Sequence, residues 1–330
     1  MKAIWYEKQG AAKDVLQFGE MSAPVPAKGE VRVKIHASGV NPSDTKTRSG
    51  WGELPMQFSR VIPHNDGAGI IESVGEGVKT SRVGERVWLY ETGFNRPFGT
   101  AAEYATIPTH QAIALPDNTD FTQGACLGVP AMTAHRAVFA DGSVREQTLL
   151  VTGGAGAVGN YAIQMAKWGG AKVITTVSKP EQAQLAKAAG ADEIINYKTE
   201  NVTERVQAIT EQERGIDRVV DVSFTANLPI TSAVLKPNGT IASYASDNPE
   251  DRPELPFLSL QLINATLRLL LVYTMPEKAK LDAIADITTM LKTDHLRHNI
   301  AQEFSLSEVA AAHDAQDSYS LIGKAIIRVL

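Results

Sequence analysis

LLVTGGAGAVG, residues 149–159, is the stretch from which the fold is read. Leu149, Leu150 and Val151 form a short apolar run of the kind that makes a buried strand. The run enters Gly153, Gly154, Gly156 and Gly159. The following NYAIQMAKWGG spaces Ile163, Met165, Ala166 and Trp168 roughly as a helix does. Gly154-x-Gly156-x-x-Gly159 between a strand and a helix is a dinucleotide-binding fingerprint. One glycine permits the tight turn, a second admits the pyrophosphate with no Cβ in the way, and the third lets helix and strand pack closely. The first amides of the helix and its dipole then attract phosphate. Gly154, Ala155, Gly156 and Ala157 are therefore candidate cofactor contacts.

Downstream, strand-like and helix-like pieces alternate. Lys172–Val177 is β-branched, PEQAQLAKAA at 180–189 is a helix with proline in its first turn and Gly190 at its end, and 193–196, 217–222 and 239–244 are short strands. LRLLLVY at 267–273 is expected as the last strand. This rhythm predicts an α/β fold with a doubly wound parallel sheet. About 20 residues past the third glycine, where an NAD enzyme places an acid for the ribose, stand Ser178 and Lys179. The nearest acid, Glu181, lies beyond Pro180. A donor beside a cation suits a 2′-phosphate, so NADPH is the expected cofactor.

Upstream the pattern differs. Val31, Val33 and Ile35 alternate with Arg32, Lys34 and His36, the period of a half-buried strand. Short strand-like pieces at 68–73, 86–90 and 102–107 lie among punctuating glycines and prolines, which indicates a small barrel-like domain. Residues 121–140 turn helical, with a break at Pro130. Past Met275, residues 276–292 are amphipathic, with Leu281, Ile284, Ile287 and Leu291 expected on one face. Ser305-x-x-Glu308 signals a capping box, and AIIRVL at 325–330 a closing strand. The expected organisation is a β-rich domain at 1–122, a nucleotide-binding domain at 123–274, and a return to the first domain at 275–330.

The chain has 330 residues, enough for two packed domains. Its formal net charge of -5 argues against a general binder of nucleic acid or membrane surfaces. No run approaches the roughly 18 apolar residues of a membrane span, and MKAIWYEKQG is not a signal peptide. The single cysteine, Cys126, leaves neither an intrachain disulfide nor a cysteine-cluster zinc site. A cytoplasmic enzyme is expected.

Seven segments carry a family likeness: GVNPSDTKTRSG (39–50), DGAGIIESVGEGV (66–78), VGERV (83–87), GTAAEY (99–104), VTGGAGAVG (151–159), AGADEIINY (189–197) and GKAIIRVL (323–330). In this order the chain resembles the medium-chain dehydrogenase/reductase superfamily over its whole length. Within it, the chain is similar to the zinc-free quinone reductase branch that includes the zeta-crystallin-like proteins. The resemblance implies a Rossmann-type sheet inserted in a GroES-like catalytic domain. Zinc alcohol dehydrogenases of this superfamily take a cysteine ligand where this chain has Asn41, and a histidine ligand where it has Asn65, within His64-Asn65-Asp66. Asn is a poor zinc ligand, and the four-cysteine structural lobe is absent, so no metal is expected. With no metal to stabilise an alkoxide, the acceptor must take hydride readily by itself. Quinones and conjugated carbonyls do so, and the protein then orients them and bonds the developing oxyanion.

The resemblance also implies roles. It puts Asn41 beside the nicotinamide, with Asp44 and Arg48 on the same segment as catalytic candidates or, alternatively, as a local ion pair. Lys46 stands where some relatives have a tyrosine. Thr133, in a P-x-x-T-A segment, is implied next to the nicotinamide and Val158 under its ribose. Tyr197 is implied by the adenosine phosphate with Lys179, and Val222 and Ser223 at the adenine and ribose. Tyr244 lies near the nicotinamide, Val272, Tyr273 and Thr274 at the carboxamide, and Lys324 toward the phosphate or nicotinamide. Tyr319 stands where some relatives place an arginine for the 2′-phosphate. The implied activity is NADPH-dependent, metal- and flavin-free reduction of quinones or related conjugated carbonyls in a cleft between the domains. The alternatives are an enal or enone double-bond reductase and a non-catalytic NADPH-binding protein. Relatives pair the edge at 267–273 with its two-fold mate, which implies a homodimer or a dimer of dimers.

Overall fold

The structure, a computed structural model, describes residues 1–211, 215–246 and 248–330. Two units are distinguished. One comprises Met1–Val129, Thr288–Thr293 and Ile300–Leu330; the other comprises Pro130–Ile287 and Asp294–Asn299.

The second unit is built on a six-stranded sheet. Its order is Glu193–Asn196, Lys172–Val177, Thr148–Val151, Ile216–Asp221, Leu235–Ser243 and Thr266–Leu269, with every pair parallel. Leu149, Leu150 and Val151 are fully buried, as a strand sandwiched between helices requires. From this central strand the chain first winds one way and then the other. The strand order therefore reverses between Thr148–Val151 and Ile216–Asp221, and ligands of such sheets bind outside the strand ends at that switch point. The glycine turn leaves Val151 at this place and enters helix Ala157–Trp168.

The glycines divide their work in a recognisable way. Gly153, at φ 66°, takes the left-handed turn. A Cβ on Gly154 would lie 2.0 Å from Thr175 Oγ1, and one on Gly159 2.4 Å from the Gly153 carbonyl oxygen, so both are needed for packing. Gly156, the N-cap of the helix, is exposed, and a Cβ there would meet only the Gly153 oxygen, at 3.3 Å.

Three expectations differ from the structure in this unit. LRLLLVY is the last strand of the sheet but is not strand throughout. Only Thr266–Leu269 pairs, on one side, before the chain tightens into the turn Val272–Thr274. Leu269 and Leu271 are 72% and 55% exposed, because an edge strand has a neighbour on one side alone. In helix Glu277–Lys292 the buried face is Ala283, Ile287, Met290 and Leu291, while Leu281 is exposed. Leu281 precedes Ala283 by two residues, about 200° around a helix, and so points the other way. This helix also groups with the second unit through Ile287, beyond the expected boundary at 275.

In the first unit, the strand Glu30–Val40 is central. It pairs with Lys324–Arg328, Asp66–Val74 and Tyr104–Pro108, all antiparallel. Val31, Val33 and Ile35 point into a core with Ile71, Val87, Leu89 and Ile107. Register decides what meets at the strand's carboxyl end. Val40 pairs with Ala325 and Gly39 with Asp66, so Asn41, Asp66 and Lys324 arrive together from three separate segments. Further along the chain, helix Phe121–Gly124 is followed by a wide π-type turn, Leu127–Ala131, that contains Pro130, and by helix Met132–Phe139.

Candidate active site

Asn41 leaves the central strand and caps helix Pro42–Ser49, with Pro42 at the first helical position where its missing N–H costs nothing. Asp44, one turn in, accepts the Asn41 backbone N–H on Oδ2 at 2.8 Å. The Asn41 side chain is held by two charged groups. Lys324 Nζ donates to its Oδ1, and its Nδ2 donates to Asp66 Oδ2 at 2.9 Å. A donor-only ammonium and an acceptor-only carboxylate fix which end of the amide is which. Lys324 Nζ also donates to Asp66 Oδ2 at 3.1 Å. Asp66 Oδ1 accepts the Val129 backbone N–H at 2.8 Å. A Cβ on Gly128 would lie 2.2 Å from that oxygen, so glycine is required there. Asn65 Nδ2 completes the group by donating to Asp44 Oδ1 at 2.8 Å.

Asn41, Asp44, Asp66 and Lys324 are all under 5% exposed, at 2%, 4%, 0% and 3%. Burial, and then repulsion from Asp66, push the Asp44 carboxyl up to about 7, against the pull of Lys324 and the two donors.

A second buried chain supports the first. Thr100 Oγ1 donates to the Asp66 carbonyl oxygen at 2.6 Å and meets Ser38 Oγ at 2.7 Å. Ser38 Oγ bonds His64 Nδ1 at 2.8 Å, and His64 Nε2 bonds His313 Nε2 at 2.8 Å. Burial holds both histidines far below their usual range, His313 at about 3, so they are neutral at physiological pH. Both ring nitrogens of His64 are spent on this chain, which anchors a residue held at φ 80°.

A zinc ion does not fit these residues. Asn41 and Asn65 offer amides where thiolate and imidazole would be needed, and Lys324 already occupies the Asn41 oxygen. Among the described residues no three His, Cys, Asp or Glu side chains gather as a metal site.

Arg48 is placed apart from this cluster. Its guanidinium donates to the Gly10 carbonyl oxygen and to Asp317 Oδ2, both at 2.6 Å. The alternative local pair with Asp44 is not formed, since both Asp44 oxygens are taken by Asn41 and Asn65. Lys46 lies over the Trp51 ring, 4.2 Å from its centroid. Lys324, expected toward the phosphate or the nicotinamide, is bound to Asn41 and Asp66 within its own unit. Tyr319 is exposed.

In the second unit the remaining candidates gather along the carboxyl ends of the strands. Thr152 Oγ1 accepts the Val222 N–H at 2.9 Å and donates to Asp221 Oδ1 at 3.1 Å, which joins the glycine turn to Val222 and Ser223 across the switch point. Gly153 N–H donates to Thr176 Oγ1 at 3.2 Å. Ser178 and Lys179 follow one strand and Tyr197 follows its neighbour, brought side by side by the Asn196–Val177 pairing. Lys179 and Tyr197 are exposed, and Ser178 Oγ donates to Gln182 Oε1 at 2.9 Å. Ala155, Ala157 and Val158 line the turn and the helix start. Tyr244 follows the next strand, its N–H on the Asp221 carbonyl oxygen at 3.2 Å and its phenol pushed up by burial. Thr133 is buried on helix Met132–Phe139, which packs against the turn Val272–Thr274. The open Gly156, the helix amides and this row of strand ends fit a dinucleotide.

Sequence reasoning missed Asp66, Gly128, Ser38, Thr100 and His313. Asp66 had a signal, being next to Asn65 in a segment already singled out. His313 had none.

The comparisons with known proteins agree with this architecture. The family described as alcohol dehydrogenase GroES-like domain matches residues 27–117, and the one described as zinc-binding dehydrogenase matches 157–288. The chain is 33% identical over 306 residues to a quinone oxidoreductase of Pseudomonas aeruginosa, covering 91% of each. Its structure is similar to Escherichia coli quinone oxidoreductase complexed with NADPH, with TM-score 0.86, 25% identity and 100% of both chains covered. It is also similar to an NAD-dependent alcohol dehydrogenase, with TM-score 0.88, 26% identity and 100% of both chains covered. A GroES-like unit joined to a Rossmann sheet defines the medium-chain dehydrogenase/reductase class. The chain belongs to this superfamily, in its zinc-free quinone oxidoreductase branch.

The Asp44 carboxyl makes stability depend on pH. Its native value of about 7 lies above the ordinary 3.8, so the folded protein keeps a proton that the unfolded chain loses. The stabilisation is complete below about pH 4, falls as pH rises toward about 7, and is gone above that. Urea unfolding at about pH 5 and about pH 8 should show wild type losing on the order of 2–3 kcal/mol that Asp44→Asn does not lose. Parallel curves for the two proteins would show that Asp44 is ionised throughout.

Proposed function

We propose that the chain is an NADPH-dependent reductase of quinones or related conjugated carbonyls that works without a metal ion. The observation that carries this is the Lys324–Asn41–Asp66 set, a closed hydrogen-bonded group around Asn41, which stands where zinc alcohol dehydrogenases keep a cysteine ligand. When bound, the cofactor supplies a hydride. Gly154, Ala155, Gly156 and Ala157 would hold its pyrophosphate through backbone amides, and Ser178, Lys179 and Tyr197 its 2′-phosphate. Val158, Thr133, Val222, Ser223, Tyr244 and the turn Val272–Thr274 would line the adenosine and nicotinamide. The similar E. coli enzyme is complexed with NADPH, and no acid stands at 178 or 179 to favour NAD. Asn41, with its amide locked from two sides, has a second Nδ2 hydrogen to offer an acceptor oxygen. A neutral amide stabilises an oxyanion far less than a Lewis acid does, so acceptors that delocalise their own charge are favoured.

Steady-state oxidation of NADPH should proceed with quinones and conjugated carbonyls and not with simple alcohols or aldehydes. NADPH should bind more tightly than NADH, and Lys179→Ala should narrow the gap by about ten- to a hundredfold, the worth of one charge-assisted contact. Equal affinity of wild type for both cofactors contradicts the cofactor assignment. Binding of NADPH with no turnover on any acceptor contradicts the enzyme.

We also propose a homodimer, or a dimer of dimers, in the cytoplasm. The exposed edge strand Thr266–Leu269 follows a helix, Phe257–Leu262, that exposes Phe257, Leu258 and Leu262. An apolar edge of this kind is satisfied by a second copy of itself. The Leu270 N–H faces inward, to the Ser243 carbonyl oxygen at 2.8 Å, so by alternation the Leu269 N–H faces out. Leu269→Pro should therefore spare the sheet and break the dimer in sedimentation velocity. A monomeric wild type at micromolar concentration overturns the proposal.

A further inference from the structure

The cluster around Asn41 has a charge count that does not close. Two buried carboxylates, Asp44 and Asp66, share one buried ammonium, Lys324. Asp66 is bonded as a full acceptor, by Val129 N–H, Asn41 Nδ2 and Lys324 Nζ. Asp44 receives only the Asn41 N–H and the Asn65 amide. One negative charge is left over in a place with almost no solvent, and a proton on Asp44 would remove it.

Asn65 carries the second observation. Its Oδ1 is buried with no hydrogen-bond partner among the described residues. Its Nδ2 already sits 2.8 Å from Asp44 Oδ1. Turning the amide by half a turn exchanges Nδ2 and Oδ1 with almost no change of shape. In this orientation Asn65 donates to an Asp44 carboxylate. Turned, it accepts from an Asp44 carboxylic acid, and the orphaned oxygen gains the donor it lacks.

The other charged and titratable groups around Asp44 are committed. On its own helix, Arg48 is bound to Asp317 and Lys46 lies over Trp51. Tyr6, just past the strand Lys2–Trp5, is pushed up to about 12 by burial and by Asp44 itself. His64 and, from helix Val309–Asp317, His313 are held neutral.

Resting on the reductase function proposed above, we infer that Asp44 stores the proton the reduction consumes and that Asn65 turns its amide to follow the charge of Asp44. The step balances. Hydride from the reduced nicotinamide brings two electrons and one hydrogen to the quinone or conjugated carbonyl. The resulting oxyanion takes one proton, the Asp44 O–H bond breaks, a new bond to hydrogen forms on the product, and the carboxylate is reloaded from solvent. Asp44 is the store and Asn65 the positioning residue.

The test begins with the full chain and no cofactor. Protein with 13C-carboxyl aspartate and 15N asparagine is titrated by NMR from about pH 5 to about pH 9, a range that brackets the neutral region. Asp44 is assigned by its loss in Asp44→Asn and Asn65 by its loss in Asn65→Leu. The Asp44 carboxyl and the Asn65 amide should move together, with a midpoint near 7. Lys324→Met should raise that midpoint, because it removes the attracting charge. With NADPH and a simple benzoquinone, Asp44→Asn should lower kcat by about a hundredfold at neutral pH. It should also flatten the pH profile and leave NADPH affinity within about twofold.

An Asp44 carboxyl that stays ionised over the whole range overturns the inference, whatever the substrate. An Asn65 amide that ignores the titration overturns its part. Wild-type kcat and pH profile in a folded Asp44→Asn overturn the storage role. If Asp44→Asn does not fold, an unmoved midpoint in Lys324→Met does the same. A protein that titrates as expected yet oxidises NADPH with no acceptor overturns the reductase function instead, and the delivery step with it.

Discussion

One buried ammonium holds the candidate active site together. Lys324 Nζ reaches Asn41 and Asp66, which lie 283 and 258 positions away in the sequence. It can do so because the central strand of the first unit sets Lys324–Arg328 on one side and Asp66–Val74 on the other. Gly39 and Gly128 clear the path. A Cβ on the first would lie 2.9 Å from Lys324 Cε, and on the second 2.2 Å from Asp66 Oδ1. Such a buried pair contributes little net stability, since desolvation offsets its attraction, but removing one partner strands the other at a cost of about 3–5 kcal/mol. Its effect is geometric. It gives the Asn41 amide one orientation and leaves Asp44 without a cation of its own.

That arrangement links the fold to the chemistry. A zinc site would supply a strong, mobile-ligand electrophile at the reacting oxygen. Here the positive charge of Lys324 is bound to the Asn41 amide and the Asp66 carboxylate, and in the proposed function that amide would face the acceptor. Activity of this kind suits acceptors that spread negative charge by themselves. The Thr100–Ser38–His64–His313 chain has a supporting part, because it fixes the backbone of Asp66 and the left-handed His64 next to Asn65.

Much of the fold was legible because its signals are local. A strand, a glycine turn and a helix follow one another within residues 148–168, and the parallel sheet around them has a strict alternation of elements. Alternation also marked Val31, Val33 and Ile35 correctly as the inward face of the first unit's central strand. Local pattern failed where burial depends on distant partners. LRLLLVY looks like strand throughout from composition, yet pairing stops at Leu269 and the chain tightens into the turn Val272–Thr274. Leu281 was put on the wrong face of its helix for want of knowing which neighbours the helix meets. In the site, Asn41 and Asp44 were visible from their segment. The Lys324 partnership was not, because only the register of three strands brings it there, and Arg48 is drawn to Asp317, at the end of helix Val309–Asp317 and 269 positions away.

The central claim is that this site works with an amide and a buried ammonium in place of a metal. Metal analysis of the purified protein, with NADPH-dependent quinone reduction assayed before and after a strong chelator, tests it most directly. The account predicts no stoichiometric zinc and unchanged activity. Activity lost on chelation and restored by zinc would contradict it.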